Sequence, residues 1–156
     1  MNILVAIDLS DATETVVNKA EEIAKALSAQ MWIVHVTQPK PELLEFDAGP
    51  QAERDFLAER YHDEHSQIQE ISARLRHEGL KATALLVQGE TVEAILAEAL
   101  KLQVDMIVVG SHGRGMMSQL LVGSVSRGIL SQSNRPVLVI PNTYLTYLGA
   151  VLGVEA

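Results

Sequence analysis

Apolar and polar residues follow two different periods along this chain. Five short runs are almost continuously apolar: residues 3–7 (ILVAI), 31–36 (MWIVHV), 82–87 (ATALLV), 106–109 (MIVV) and 137–140 (VLVI). Runs of this length, rich in β-branched residues, predict strands buried on both faces. The segments between them carry apolar residues at helical spacing. The first helix is expected to run to about Ser28, with Val16, Ala20, Ile23, Ala24 and Leu27 on its inner face. Ser10 or Asp11 would cap it, and Asp11 with Glu14 has capping-box spacing. A long amphipathic helix is expected over residues 52–78, its stripe marked by Leu57, Tyr61, Ile68, Ile71 and Leu75 and its stop by Gly79. Thr91 would cap a third, which turns Val92, Ile95, Leu96, Ala99 and Leu100 inward. A fourth is expected over residues 124–133, ended by Asn134 and Pro136. Residues 38–51 hold Pro39, Pro41, Gly49 and Pro50 and read as the longest irregular stretch.

Strands that alternate with helices imply a parallel sheet covered on both faces. At 156 residues the chain fits one domain with a full core. Only 4% of residues are aromatic, so that core is aliphatic. In an open sheet of this kind, ligands bind beyond the carboxyl ends of the strands where the strand order reverses. Asp8 stands at one such end and Gly110 at another.

Composition narrows the partners. The formal net charge of −8 argues against a broad nucleic-acid-binding face and against adhesion to anionic lipid. A polyanionic ligand would have to be held by local donors. With no cysteine, disulfides, thiolate metal sites and cysteine nucleophiles are excluded. The opening residues, MNILVAIDLS, lack the pattern of a signal peptide, and no apolar stretch is long enough to span a bilayer. A cytoplasmic location is the expectation.

The segment GSHGRGMMSQLLVGS, residues 110–124, carries the chemistry. Gly110, Gly113 and Gly123 have the spacing G-x2-G-x9-G, and Ser124 follows. A strand precedes the segment and a helix follows it. Glycines let backbone N–H groups approach an anion, and a helix N-terminus adds unpaired donors and a favourable dipole. Two familiar phosphate motifs do not fit. The Walker pattern needs a lysine that is absent here, and the dinucleotide pattern needs glycines after the first strand, where Asp8, Leu9 and Ser10 stand.

The spacing G-x2-G-x9-G-[ST], after a VVG strand and before a helix, resembles the universal stress protein family. GSHGRG, LLVGSVSRGIL and NRPVLVIP are similar to that family's segments, as are ILVAIDLS and IVHV in the first two strands. The resemblance covers residues 2–141 and implies a Rossmann-like α/β fold: a single-domain, open, parallel five-stranded sheet of order 3-2-1-4-5, helices on both faces. It also implies a subgroup that binds ATP with Mg. Carried over residue by residue, Gly110 and Gly113 would wrap the ribose and phosphates. Gly123, Ser124, Val125 and Ser126 would present the helix N-terminus, with both serine hydroxyls as further donors. Asp8 matches the acidic residue near the ribose and any metal. Val36 matches the second-strand residue whose backbone meets the adenine edge. Ala6 stands where relatives often carry proline.

The function this resemblance implies is a nucleotide-dependent regulatory or stress-response switch, acting as a homodimer through Val137–Ile140. A slow ATPase or phosphoryl-transfer enzyme is a rival, although no base is evident. A nucleotide-independent interaction module is another. His112 and Arg114 lie in the glycine segment and could touch phosphate. His35, inside a strand, reads as a packed, hydrogen-bonded histidine. His62 and His65 share a helix face and could hold a metal, with no further ligand evident. Residues 1–141 form the expected nucleotide-binding domain. Residues 142–156 form an apolar extension carrying Tyr144, Leu145, Tyr147, Leu148, Val151, Leu152 and Val154, which would pack on the body, on a second subunit in a higher oligomer, or on a partner.

Overall fold

The strands all run in one direction. The computed structural model describes residues 1–38, 49–111 and 122–141. Within these, β1 (Asn2–Ile7), β2 (Gln30–Thr37), β3 (Ala82–Gln88), β4 (Met106–Gly110) and β5 (Val137–Ile140) form one sheet of order β3-β2-β1-β4-β5. Each pairing is parallel, with Ile7 opposite His35, Val5 opposite Val108 and Gly110 opposite Ile140. The expected fold and strand order are therefore the observed ones. β1 and β4 are neighbours, so the strand order reverses between them, and Asp8 and Gly110 share one edge of the sheet.

Alternation along the strands divides the core in two. Ile3, Val5, Ile7, Met31 and Ile33 face α1 (Thr13–Leu27) and α2 (Gly49–His77), where Val16, Val17, Ala20, Ile68 and Leu75 cover them. Leu4, Val34, Val36, Ile107 and Val109 face α3 (Thr91–Lys101) and α4 (Ser124–Gln132), where Ile95, Ala99 and Ile129 lie. Val34 and Ile107 are fully buried, as strands covered on both faces require.

The helix ends depart from expectation. No side chain caps α1: Ala12 is its N-cap, and Ser10 instead accepts from the Ala12 N–H with its hydroxyl and from the Thr13 N–H with its carbonyl. The expected Asp11–Glu14 capping box is absent. α3 is capped by Glu90, whose carboxylate accepts from the N–H groups of Val92 and Glu93, while Thr91 is already helical. Leu27 and Leu100, expected inside, are 47% and 64% exposed. Each lies in the last turn of its helix. The chain then leaves through a left-handed residue, Ser28 (φ 51) or Gln103 (φ 49), which brings Ala29 and Val104 into the core instead. α2 begins at Gly49 rather than Ala52.

Candidate functional site

A cleft of about 460 Å³ opens at the carboxyl edge of the sheet, over the point where the strand order reverses. The end of β1 and the residue after it supply Ala6, Ile7 and Asp8, the end of β2 and the residue after it supply residues 35–38, β4 supplies Val109 and Gly110, and α4 with its N-cap supplies residues 123–126. The sequence-predicted residues Ala6, Asp8, Val36, Gly110, Gly123, Ser124, Val125 and Ser126 all line this one cavity. His112, Gly113, Arg114 and the extension 142–156 lie outside the described residues.

The turn after β1 holds Asp8 in place. Its Oδ1 accepts from the Ser10 N–H at 3.0 Å, an Asx turn, and Leu9 takes a left-handed φ of 59°. At the opposite wall, Gly123 is the N-cap of α4, and no side-chain hydrogen bond caps the helix. The first bond of its ladder runs from Arg127 N–H to Gly123 O at 2.9 Å, so the amides of residues 124–126 precede the ladder. Gly123 is buried, whereas Ser124 and Val125 are exposed. Ser126 is buried and its hydroxyl donates to Gly110 O, which ties the start of α4 to the end of β4. That hydroxyl proton is already used within the fold.

The third wall escaped the sequence reading. α2 packs on β3 and β2 and contributes Arg60 and Glu64, while Ala12, Thr13, Val16, Thr91 and Ile95 complete the lining. Arg60 donates to Thr37 Oγ1 at 2.7 Å and to Gln38 O, and its Nε stands 3.5 Å from Glu64 Oε1. Gln38 Nε2 donates to Thr91 Oγ1 at 3.2 Å. His35 is buried, with Nδ1 2.9 Å from Ile7 O. The sequence did hold a signal: Glu64 falls on the stripe of Leu57, Tyr61, Ile68 and Ile71, where an apolar residue would otherwise stand. Among the described residues no cluster of three or more His, Asp or Glu side chains could hold a metal, so His62 and His65 gain no third ligand and Asp8 stands alone.

An open parallel sheet with a cleft at its switch point, walled by a helix N-terminus without a side-chain cap, is the α/β architecture in which ligands bind beyond the carboxyl ends of the strands. Residues 1–141 match the family model of the universal stress protein family. The chain belongs to that family. It is 31% identical over 145 residues to the universal stress protein in the QAH/OAS sulfhydrylase 3′ region of Thermus aquaticus, covering 88% of this chain and 96% of that one. Among solved structures it is similar to MJ0577 of Methanocaldococcus jannaschii, at 25% identity and a TM-score of 0.75, over 89% of this chain and 94% of that one. It also shares its fold with the universal stress protein from Archaeoglobus fulgidus in complex with dAMP, at 23% identity and a TM-score of 0.60, over 90% of this chain and 97% of that one.

Proposed function

We propose that the protein is a nucleotide-dependent regulatory switch that holds ATP in this cleft. The observation that carries the reading is the convergence of Asp8, Gly110 and the unladdered amides of α4 on one cavity at the switch point. Those amides and the helix dipole provide local positive potential in an acidic chain. The dAMP held by the Archaeoglobus fulgidus relative supports an adenine nucleotide as the ligand. Magnesium would be held mainly by phosphate oxygens and water, with Asp8 beside it, since Mg²⁺ usually takes few protein ligands. A ligand moves such a switch only through different affinities for its two states.

Equilibrium binding of labelled ATP tests the reading, with saturation expected below millimolar nucleotide. No binding at millimolar nucleotide would sink it. Gly123→Val is the matched variant. Gly123 has φ −60° and ψ 164°, which any residue adopts, but it is buried, so binding is compared once circular dichroism shows the variant folded, its valine side chain then blocking phosphate approach. Affinity should fall by at least about tenfold, the cost of lost hydrogen bonds to a charged group.

Two copies would pair along β5. Among the described residues that strand pairs only with β4, which makes it an edge. No helix of the described residues is long and apolar enough to cross a membrane, and a cytoplasmic location remains part of the proposal.

A further inference from the structure

One end of the cleft is built from groups that phosphate and ribose do not use. Strands β4, β1 and β2 follow one another along the sheet. A nucleotide with its phosphates at Gly123 and Ser124 and its ribose beside Asp8 therefore carries its base to β2 and α2. Three ionisable side chains meet there. His35 Nδ1 faces the Ile7 carbonyl at 2.9 Å. A carbonyl can only accept, so Nδ1 carries the hydrogen and Nε2 is turned to Glu64, 3.6 Å from Oε1. Arg60 Nε lies 3.5 Å from the same oxygen. Both separations exceed ordinary hydrogen-bond length.

Glu64 is thus offset in charge but not filled in hydrogen bonds. Its Oε2 is shielded from solvent and has no hydrogen-bond partner among the described residues. Arg60 offsets its charge without filling it: its NH2 group is committed to Thr37 and Gln38, and its Nε, 3.5 Å from Oε1, likewise has no hydrogen-bond partner among the described residues. A carboxylate accepts several hydrogen bonds, and leaving a buried one short is costly. The Glu64 side chain is 18% exposed and lines the cleft. Its terminal torsion is soft, so either oxygen can turn to a ligand.

We infer that Glu64 reads the nucleobase by accepting a hydrogen bond from the exocyclic 6-amino group of a purine. The inference rests on the nucleotide reading above and deepens it. A 6-amino group offers a donor to an acceptor-only carboxylate. A 6-oxo group sets one acceptor against another at that position, and the N1–H donor of hypoxanthine or guanine lies one ring position away, so a carboxylate aimed at the 6-substituent favours adenine.

Binding of ATP and ITP to the full chain, wild type and Glu64→Gln, tests this. Wild type should prefer ATP by about tenfold or more, the scale of a hydrogen bond to a charged group. Glutamine keeps the shape but adds a donor that a 6-oxo group can accept, so the preference should shrink to within about threefold. Glu64→Asp keeps the charge opposite Arg60 and serves as the second variant if glutamine does not fold. It withdraws the carboxylate by one methylene, and its preference should shrink as well. Tight ATP binding with an ATP-to-ITP ratio unmoved in the folded variant overturns the role of Glu64 and leaves the nucleotide reading standing. No binding of either nucleotide to wild type overturns both.

Discussion

Glu21 shows how a single charge on the surface joins two helices. It accepts from Lys25 of its own helix at 2.6 Å and from Arg74 of α2 at 3.0 Å, and its side chain is only 13% exposed. The Lys25 hydrogen bond, opposed by burial and reinforced by Arg74, holds its pKa below the ordinary 4.5. Because folding lowers this pKa, the unfolded chain takes up the proton first as pH drops. The stabilisation is complete above 4.5 and is lost as pH falls through the lower folded value. Glu21→Gln should therefore lower the melting temperature at neutral pH, by less than about 1 kcal/mol in stability. The gap to wild type should close in the most acidic buffers, and a gap constant with pH would refute the account. At this scale the sequence was informative where chemistry is local. His35 was legible as a packed histidine because it sits inside an apolar run. Glu64 is marked in the sequence as a polar residue on an apolar stripe, but the stripe does not show which strand packs against it, so its place in the site was not legible.

Among the elements, strands were read more closely than helices. A strand such as β5 is delimited by its own apolar run, and its observed bounds are the expected ones. A helix end depends on competition among nearby hydrogen-bonding groups. Thr91 and Glu90 could each have capped α3, and the longer carboxylate reached two N–H groups at once. The packing of α4 on α3 shows a constraint that no pattern reveals. A Cβ added at Gly128 would lie 2.8 Å from Val92 Cγ2 and 3.3 Å from Cγ1. Valine is stiff at χ1 in a helix and gives way poorly. Gly128→Ala should destabilise by up to about 2 kcal/mol in denaturant melts, an overpacking cost of about 1–3 kcal/mol partly offset by alanine's helix propensity of about 1 kcal/mol. Adding Val92→Ala should recover stability relative to Gly128→Ala alone. A double variant weaker than either single one would show that the contact is not the cause.

For the whole molecule, alternation of strands and helices established the sheet, and the family resemblance supplied the strand order. What neither contained was the packing of α2 against β3 and β2, which brings Arg60 and Glu64 to the cleft. The edge at β5 yields a prediction on this scale. Ile107 N–H donates to Pro136 O and Ser111 N–H to Ile140 O, so the even-numbered residues of β5 face β4. In a parallel strand the intervening residues then turn their N–H and C=O groups to the open edge. Val139→Pro removes an outward donor and spares the ladder with β4. If two copies pair along this edge, light scattering should show wild type at twice the mass of the variant at equal concentration, with both folded by circular dichroism. An unchanged mass would rule out pairing through that N–H.

The hydrogen bond from Gly123 N–H to Ser111 O, 2.7 Å long, fixes the end of β4 against the N-cap of α4 and so sets the separation that the span between them must bridge. Closure entropy grows only logarithmically, so doubling the number of residues within that span adds only about 0.6 kcal/mol. Insertions there are nearly invisible to the folding equilibrium. An exchange of that span between relatives should therefore move the melting temperature little, as long as the Gly123–Ser111 bond is kept.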